Sequence, residues 1–273
     1  MSEVGVVVVT YNGLPWVERC LESVRGNETV VVDHGSSDGT VAFVRERFPE
    51  VEVVEEENRG LAFGWNTGIQ RTSGRYALLL NADAWMHEGA LDALVAFADE
   101  HPRAAVVAPR LSNPDGTLQR SVRGYPTVWR IATEYLFLRK LAPRTRAFNA
   151  FYAGGFAHDR PCEAEWIMGA VWLVRREAIH DVGPADDAFF LFSEETDWAY
   201  RFRSAGWEVW FDPAAGATHV YGGSHGGRML AENVKSQLRF LRKHRGAAYA
   251  RAARWILLLG LLLRRRFDVI RAL

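Results

Sequence analysis

The chain has 273 residues, of which 48% are hydrophobic and 24% charged, a balance that excludes a disordered polymer and allows one large α/β domain with or without an appendage. Acidic and basic side chains balance at 33 each, so global charge names no partner; no nucleic-acid partner is expected. Cys20 and Cys162 are too few for a disulfide framework or a cysteine-built zinc site, which fits a reducing, cytoplasmic setting.

Residues 4–9 form a β-branched run read as a buried first strand and not a secretion signal, because no basic region or cleavage site accompanies them. Pro15 opens a helical pattern with Val17, Cys20, Leu21 and Val24 on one face. Residues 29–32 make a second strand ending at Asp33, and Ser37 or Asp38 is placed to cap a helix carrying Val41, Val44 and Phe48. A third strand at 51–54, a helix at 61–71 and a fourth strand at 76–80 follow, the last ending at Asn81-Ala82-Asp83. Leu91, Leu94, Val95 and Ala98 mark another amphipathic helix.

Residues 112–161 hold Pro114, Pro126, Pro143 and many arginines, and read as a loop-rich excursion with a short helix around 129–140. Order returns at 166–174, and an apolar run at 189–192 leads into Ser193-Glu194-Glu195-Thr196-Asp197. Leu230, Val234, Leu238 and Leu241 lie on one stripe of a long C-terminal helix. Alternating strands and helices predict an α/β fold with a mostly parallel central sheet covered on both faces. Ligands of such sheets bind beyond the carboxyl ends of the strands, where Asn12, Asp33 and Asp83 are expected to converge.

Asp83 is the sharpest chemical feature. A carboxylate directly after a buried strand is costly unless paired, and a divalent cation is a suitable partner; capping of the next turn is the alternative. Four segments in order, Val8-Val9-Thr10-Tyr11-Asn12, residues 32–40, Asn58-Arg59-Gly60 with Asn66, and Leu80-Asn81-Ala82-Asp83, resemble the signature of family 2 glycosyltransferases of the GT-A fold. Residues 189–197 with Arg201 and Gly206-Trp207 are similar to that family's acceptor-side acidic motif, and His219-Val220-Tyr221-Gly222-Gly223-Ser224 to its late histidine motif. The likeness spans about residues 4 to 225 and is strongest to rhamnosyltransferase-like members.

The resemblance implies a Rossmann-like GT-A domain over 1–226, with a nucleotide-binding half to about 110 and an acceptor-side half from about 111. A basic and apolar helical extension over 227–273 completes the chain. It implies that Thr10, Tyr11 and Asn12 line the nucleotide pocket, that Asp33 bonds the base, and that Arg59, Asn66 and Asn81 help hold the nucleotide-sugar. Asp83 and His219 would bind Mg2+ or Mn2+, with His225 a substitute for the histidine, and Gly169 would leave room beside the sugar. His34 stands where Asn or Asp is common, which blurs base preference. Trp85, Trp172 and Trp198 are candidates for stacking on sugars, although core packing is the commoner role.

The catalytic base is expected from the acidic motif, because a carboxylate can take the acceptor proton as the hydroxyl attacks the anomeric carbon. Glu195 matches the family's usual aspartate, with Glu194 and Asp197 as rivals; the structural alternative is a helix start stocked with acids that favour the dipole. One base and no protein nucleophile imply inversion. The donor is expected to be dTDP-rhamnose, a UDP-sugar or a GDP-sugar, and the acceptor a lipid-linked or cell-envelope glycan.

The apolar block at 255–263 is about half the ~20 residues of a bilayer span. Two readings stay open for 239–271: a helix packed on the catalytic domain, or a peripheral segment at the inner face of the membrane with arginines near anionic head groups. A nucleotidyltransferase would need a basic, glycine-rich loop that residues 10–15 lack, and neither a dinucleotide fingerprint nor a P-loop is present. A non-catalytic sugar-nucleotide binder remains a third class.

Overall fold

The structure, a computed structural model, describes residues 3–220, 222 and 229–273. Strands and helices alternate as β1 (Val4–Thr10), α1 (Val17–Glu22), β2 (Glu28–Asp33), α2 (Thr40–Arg47), β3 (Glu52–Glu55), α3 (Leu61–Arg71) and β4 (Tyr76–Asn81). Next come β5 (Ala84–Met86), α4 (Ala90–Glu100), β6 (Ala104–Ser112), the short β7 (Leu118–Gln119) and β8 (Val122–Arg123), α5 (Val128–Tyr135) and the one-turn α6 (Arg146–Asn149). They are followed by β9 (Cys162–Glu163), β10 (Trp166–Ile167), β11 (Val171–Arg175), α7 (Arg176–Val182), α8 (Glu194–Ser204) and β12 (Glu208–His219). The chain closes on α9 (Leu230–Arg245), α10 (Ala247–Leu263) and α11 (Phe267–Ala272).

The main sheet runs β3-β2-β1-β4-β11-β6-β12-β5. Pairings β3-β2, β2-β1, β1-β4 and β6-β12 are parallel, whereas β11 is antiparallel to both neighbours and β5 to β12. Successive side chains of a strand point to opposite faces, so Val6 and Val8 join the core under α1 and α4, while Val7 joins the core with Trp65 of α3 and Trp198 of α8. Both faces are therefore covered, and the apolar runs without polar alternation follow from that double burial.

Register fixes what gathers at the carboxyl edge. Thr10 pairs with Asp33, and Val9 with Asn81, so β1, β2 and β4 end together. Because β11 runs the other way, it starts at the same edge: Val171 pairs with Leu80, and Asn81 N–H donates to the Ala170 carbonyl at 2.9 Å. The residues just before β11, Gly169 and Ala170, thus lie beside those just after β4.

One expectation on elements is corrected: the helix placed around 129–140 ends at Tyr135. The long C-terminal helix carrying Leu230, Val234, Leu238 and Leu241 is α9, which stops at Gly246, whose φ of 87° takes the chain out of helical geometry. Helices α9 to α11 then build a third core cluster with α5, around Ile131, Tyr135, Phe240, Leu257 and Leu261. Tyr221, Gly223, Ser224, the substitute ligand His225 and the expected boundary at 226/227 lie outside the described residues.

Candidate active site

The loops after β1 and β2 are stitched together. Ser37 N–H donates to Asn12 Oδ1 at 2.8 Å, Asn12 N–H to Ser36 Oγ at 2.7 Å, and Leu14 N–H to Asp38 Oδ2 at 3.0 Å. Asn12 holds φ 53°, a left-handed conformation that asparagine tolerates better than most residues. Asp33 is 1% exposed, and its carboxylate accepts Gly35 N–H, Ser36 N–H and the Ser36 hydroxyl. It shapes the loop from within, with three of its roughly four acceptor sites taken by the loop itself. Thr10 is buried, whereas Tyr11 is 48% exposed and available to a ligand. His34 is buried against α3, where a Cβ on Gly64 would come within 2.9 Å of its Nε2; burial lowers its pKa despite the nearby Glu56 and Asp33.

Contrary to the expectation of a donor contact, both ends of the Asn66 amide bond the backbone of Ala185, Nδ2 to the carbonyl at 2.8 Å and Oδ1 from the N–H at 3.0 Å. Asn66 thereby ties α3 to the loop that precedes α8. Arg59 is exposed, stacked 3.8 Å over Phe63 and 3.9 Å from Asp187. At Gly60, φ is 100° and a Cβ would lie 2.3 Å from the Phe190 carbonyl oxygen, so only glycine allows this loop to dock.

Asp83 and His219 meet although 136 positions apart: Oδ1 and Nε2 are 3.5 Å from one another, and both residues are buried. A chain of hydrogen bonds sets the histidine tautomer. The Thr117 hydroxyl gives its proton to Asp115 Oδ1 at 2.6 Å and therefore accepts from Asn113 Nδ2 at 2.9 Å. Asn113 Oδ1 then accepts from Gln119 Nε2 at 2.8 Å, which leaves Gln119 Oε1 to accept His219 Nδ1–H at 2.7 Å. With Nδ1 held by Gln119, Nε2 is the ring nitrogen that faces Asp83, and a ring without a proton there would present its lone pair to a cation. A lone pair and a carboxylate oxygen side by side form a donor set that a cation satisfies. Among the described residues, no cluster of three or more His, Cys, Asp or Glu side chains is arranged to hold a metal. Two protein ligands suit Mg2+, which usually keeps waters and substrate phosphates as its other ligands. Cys20 lies alongside, its Sγ 3.5 Å from the Asn81 carbonyl; burial, with the charge of Asp83, drives its thiol pKa far up and leaves it inert.

The acidic motif divides into two roles. Phe192 and Ser193 adopt φ of 65° and 66°, two successive left-handed non-glycine residues held by their surroundings. On one side Leu61 N–H bonds the Phe190 carbonyl at 2.9 Å, and on the other Ser236 Oγ bonds the Leu191 carbonyl at 2.9 Å. Directly after this clamp, Glu194 and Glu195 are 3% and 8% exposed, each with an Oε2 that lacks a hydrogen-bond partner among the described residues. Burial pushes the Glu195 pKa up to about 7, against the opposing pull of backbone N–H groups and Arg123. Burial and the charge of Glu195 raise Glu194 well above the usual carboxylate range. Gly169 lies against Glu195: a Cβ there would lie 3.2 Å from Glu195 Cβ and 3.2 Å from the Trp65 ring.

Asp197 does not fit the base role expected of it. It is 0% exposed and takes bonds from His244 Nε2 at 2.7 Å, Lys243 Nζ at 2.7 Å and Arg201 Nε at 2.9 Å. Burial alone would raise its pKa, but these three partners hold it below the usual value. Its work is to anchor α9 to α8. Trp172 and Trp198 are corrected likewise: both are wholly buried, stacked with Trp65 in the core, whereas Trp85 is partly exposed under Arg19. Two surface concavities of about 360 and 450 Å³ near Asn27 and Leu91 contain none of the candidate residues.

An α/β sheet with stitched loops, an Asp–His pair and a buried glutamate near one edge is the framework of a nucleotide-sugar-binding domain. Solved structures share it. The mannosyltransferase PcManGT from Pyrobaculum calidifontis, in complex with GDP-Man and Mn2+, matches with TM-score 0.61 and 20% identity over 96% of this chain and 73% of its own. GalNAc-T7 with UDP, GalNAc and Mn2+ matches with TM-score 0.62 and 18% identity over 89% of this chain, which spans about half (48%) of that structure. Residues 5–159 match the profile of glycosyl transferase family 2. The N-acetylglucosaminyl-diphospho-decaprenol L-rhamnosyltransferase of Mycobacterium tuberculosis is 29% identical over 97% of this chain and 92% of its own length. The chain belongs to glycosyl transferase family 2, and it is a GT-A-fold glycosyltransferase that moves a sugar from a nucleotide-sugar to an acceptor.

Proposed function

We propose that the protein transfers rhamnose from dTDP-rhamnose, with inversion, to a lipid-linked sugar of the cell envelope, using Glu195 as base. The observation that carries the reading is the Glu195 carboxyl, buried against Gly169 at the edge where β4 ends and held at a pKa of about 7. A carboxyl whose pKa burial raises toward neutrality is a strong enough base to accept an alcohol proton in the transition state. The acceptor oxygen attacks the anomeric carbon, the bond from that carbon to the diphosphate oxygen breaks, and the alcohol proton passes to a Glu195 carboxylate oxygen. One displacement inverts the anomeric centre, by the stereochemical logic that governs inverting glycosidases with water as nucleophile.

Asp83 and His219 are the residues that would hold Mg2+ or Mn2+, which supplies Lewis-acid stabilisation of the departing diphosphate. Thr10, Tyr11, Asn12 and Asn81 are proposed to line the donor pocket and Arg59 its rim, within a catalytic domain of residues 1–226. Rhamnose and a polyprenyl-diphosphate acceptor are favoured by the likeness to the mycobacterial enzyme, whose name carries both chemistries and whose match runs nearly end to end. Such an acceptor would place the protein on the cytoplasmic side of a membrane.

A donor screen by thermal shift tests this reading, using dTDP-rhamnose, UDP-sugars and GDP-sugars with and without Mg2+ or Mn2+, on the wild type and Asp83→Ala. Metal-dependent stabilisation by dTDP-rhamnose, lost in the variant, is expected. Equal stabilisation of the variant would remove Asp83 from the site, and stabilisation by a GDP- or UDP-sugar alone would overturn the choice of donor.

A further inference from the structure

Helix α10 is apolar on two sides, and only one is used. Ala250, Ala253, Leu257, Gly260 and Leu261 are buried in the contact with α5 and α9, and Gly260 lies so close to Tyr135 that a Cβ would come within 2.6 Å of it. On the other side Trp255, Leu259, Leu262 and Leu263 are 73%, 49%, 51% and 59% exposed, and Phe267 at the start of α11 is 52% exposed. A second segment adds to the same patch: after α5, Phe137 and Leu141 are 39% and 75% exposed. Arg264 joins the two, its guanidinium 4.6 Å over the Phe137 ring. Large apolar side chains gathered on one face mark an interaction surface.

The charges around this face are of one sign. Every charged residue from 239 to 267 is basic, and so is every one from 136 to 146. Arg139 and Arg264 pair with Glu134, and Arg266 with Asp268, but no ion pair among the described residues involves Lys140, Arg144, Arg251 or Arg265. A twofold interface presents the same patch on both copies, so a second copy would set these cations against one another. Anionic lipid head groups supply the missing charge, and acyl chains the missing apolar partner. No helix among the described residues is long and apolar enough to cross a membrane, so the patch would lie on a bilayer and not through it.

We propose that the outer face of α10, the start of α11 and the segment after α5 form one surface that seats on an anionic lipid bilayer. The surface is continuous with the candidate site through α9, whose Lys243 and His244 hold Asp197 two residues beyond Glu195 and whose Ser236 holds the Leu191 carbonyl. Seating would therefore bring the acceptor side of the cleft toward the bilayer, a consequence that rests on the lipid-linked acceptor reading; binding of the surface to lipid does not.

The test is co-sedimentation of the full chain with vesicles of phosphatidylglycerol in phosphatidylcholine, and with phosphatidylcholine alone. Binding to the anionic vesicles at least tenfold tighter is expected. It should be abolished by Leu259→Glu with Leu263→Glu and weakened several-fold by Lys140→Glu with Arg265→Glu, with melting temperature and dTDP-rhamnose hydrolysis unchanged in both. The charge-reversal pair keeps the test decisive if the leucine pair fails to fold. Failure to bind anionic vesicles, or binding indifferent to both pairs, would overturn the proposal. So would a dimer seen by light scattering that the leucine pair dissolves, which would assign the face to a second copy. Vesicle binding without any donor turnover would instead count against the transfer chemistry alone.

Discussion

Asp197→Asn keeps the shape of the side chain and removes the charge at the junction of α8 and α9. Breaking a buried ion pair from one side costs about 3–5 kcal/mol, because the partner is left buried and uncompensated. Here Lys243 keeps Asp186 at 2.6 Å, and Arg201 keeps the carbonyls of Val182 and Pro184 at 3.2 and 2.8 Å. The cost should therefore sit at the low end, about 3 kcal/mol, or roughly 6–12 °C in melting temperature for a chain of this size. The pH dependence has a definite sign. The partners hold the folded-state pKa of Asp197 below its ordinary value of 3.8, so its stabilisation is complete above that value and is lost as pH falls through the folded pKa. Calorimetry should show the full gap between wild type and variant at pH 7, narrowing below about pH 4. Turnover measured well below the variant's melting point should stay within tenfold of wild type. An unchanged melting temperature would refute the anchoring role, and a folded variant with turnover reduced a thousandfold would make Asp197 the base.

Three further outcomes follow from the site. Gln119→Leu removes the acceptor that fixes His219 Nδ1–H, and should weaken Mn2+ affinity about 10–100-fold by calorimetry while leaving the fold intact. Gly169→Ala pushes a methyl group against Glu195 and Trp65; it should cost about 1–2 kcal/mol of stability and lower turnover by about tenfold, read by denaturant melts and steady-state rates. Native protein should be alkylated by a maleimide at Cys162 and not at the buried, high-pKa Cys20, as peptide mass mapping would show; denatured protein should react at both.

The alternation of apolar runs and amphipathic stripes made the first half of the sheet readable, because strands buried on both faces carry unbroken β-branched segments such as Val6 to Val9. Asp83 stands out as a carboxylate bordering an apolar run, against the cost of burying it, whereas Glu195 is singled out by likeness to the family's acidic motif; both side chains are buried. Other features depend on partners distant in the chain. Gln119 sits in a two-residue strand and meets His219 100 positions later, and no local pattern distinguishes it from a surface glutamine. Asn66 and Asp33 carry motif-like spacing, yet their polar atoms are engaged by the backbones of Ala185 and of residues 35 and 36. The roles of Glu195 and Asp197 could be separated only by knowing that α9 delivers Lys243 and His244 to one of them. The end of α9 after Arg245 carries a local signal in Gly246, just past the amphipathic stripe that runs to Leu241.

Proton acceptance by Glu195 is tested most directly by the pH dependence of kcat/KM for the wild type and Glu195→Gln, with donor affinity measured separately by calorimetry. Wild-type kcat/KM should rise about tenfold per pH unit on the acid side and level off near pH 7, where the carboxyl becomes ionised. The variant should lose about a thousandfold in turnover at every pH while binding the donor within a few-fold of wild type. A variant that turns over within tenfold of wild type, or a wild-type profile flat from pH 5 to pH 8, would contradict the assignment.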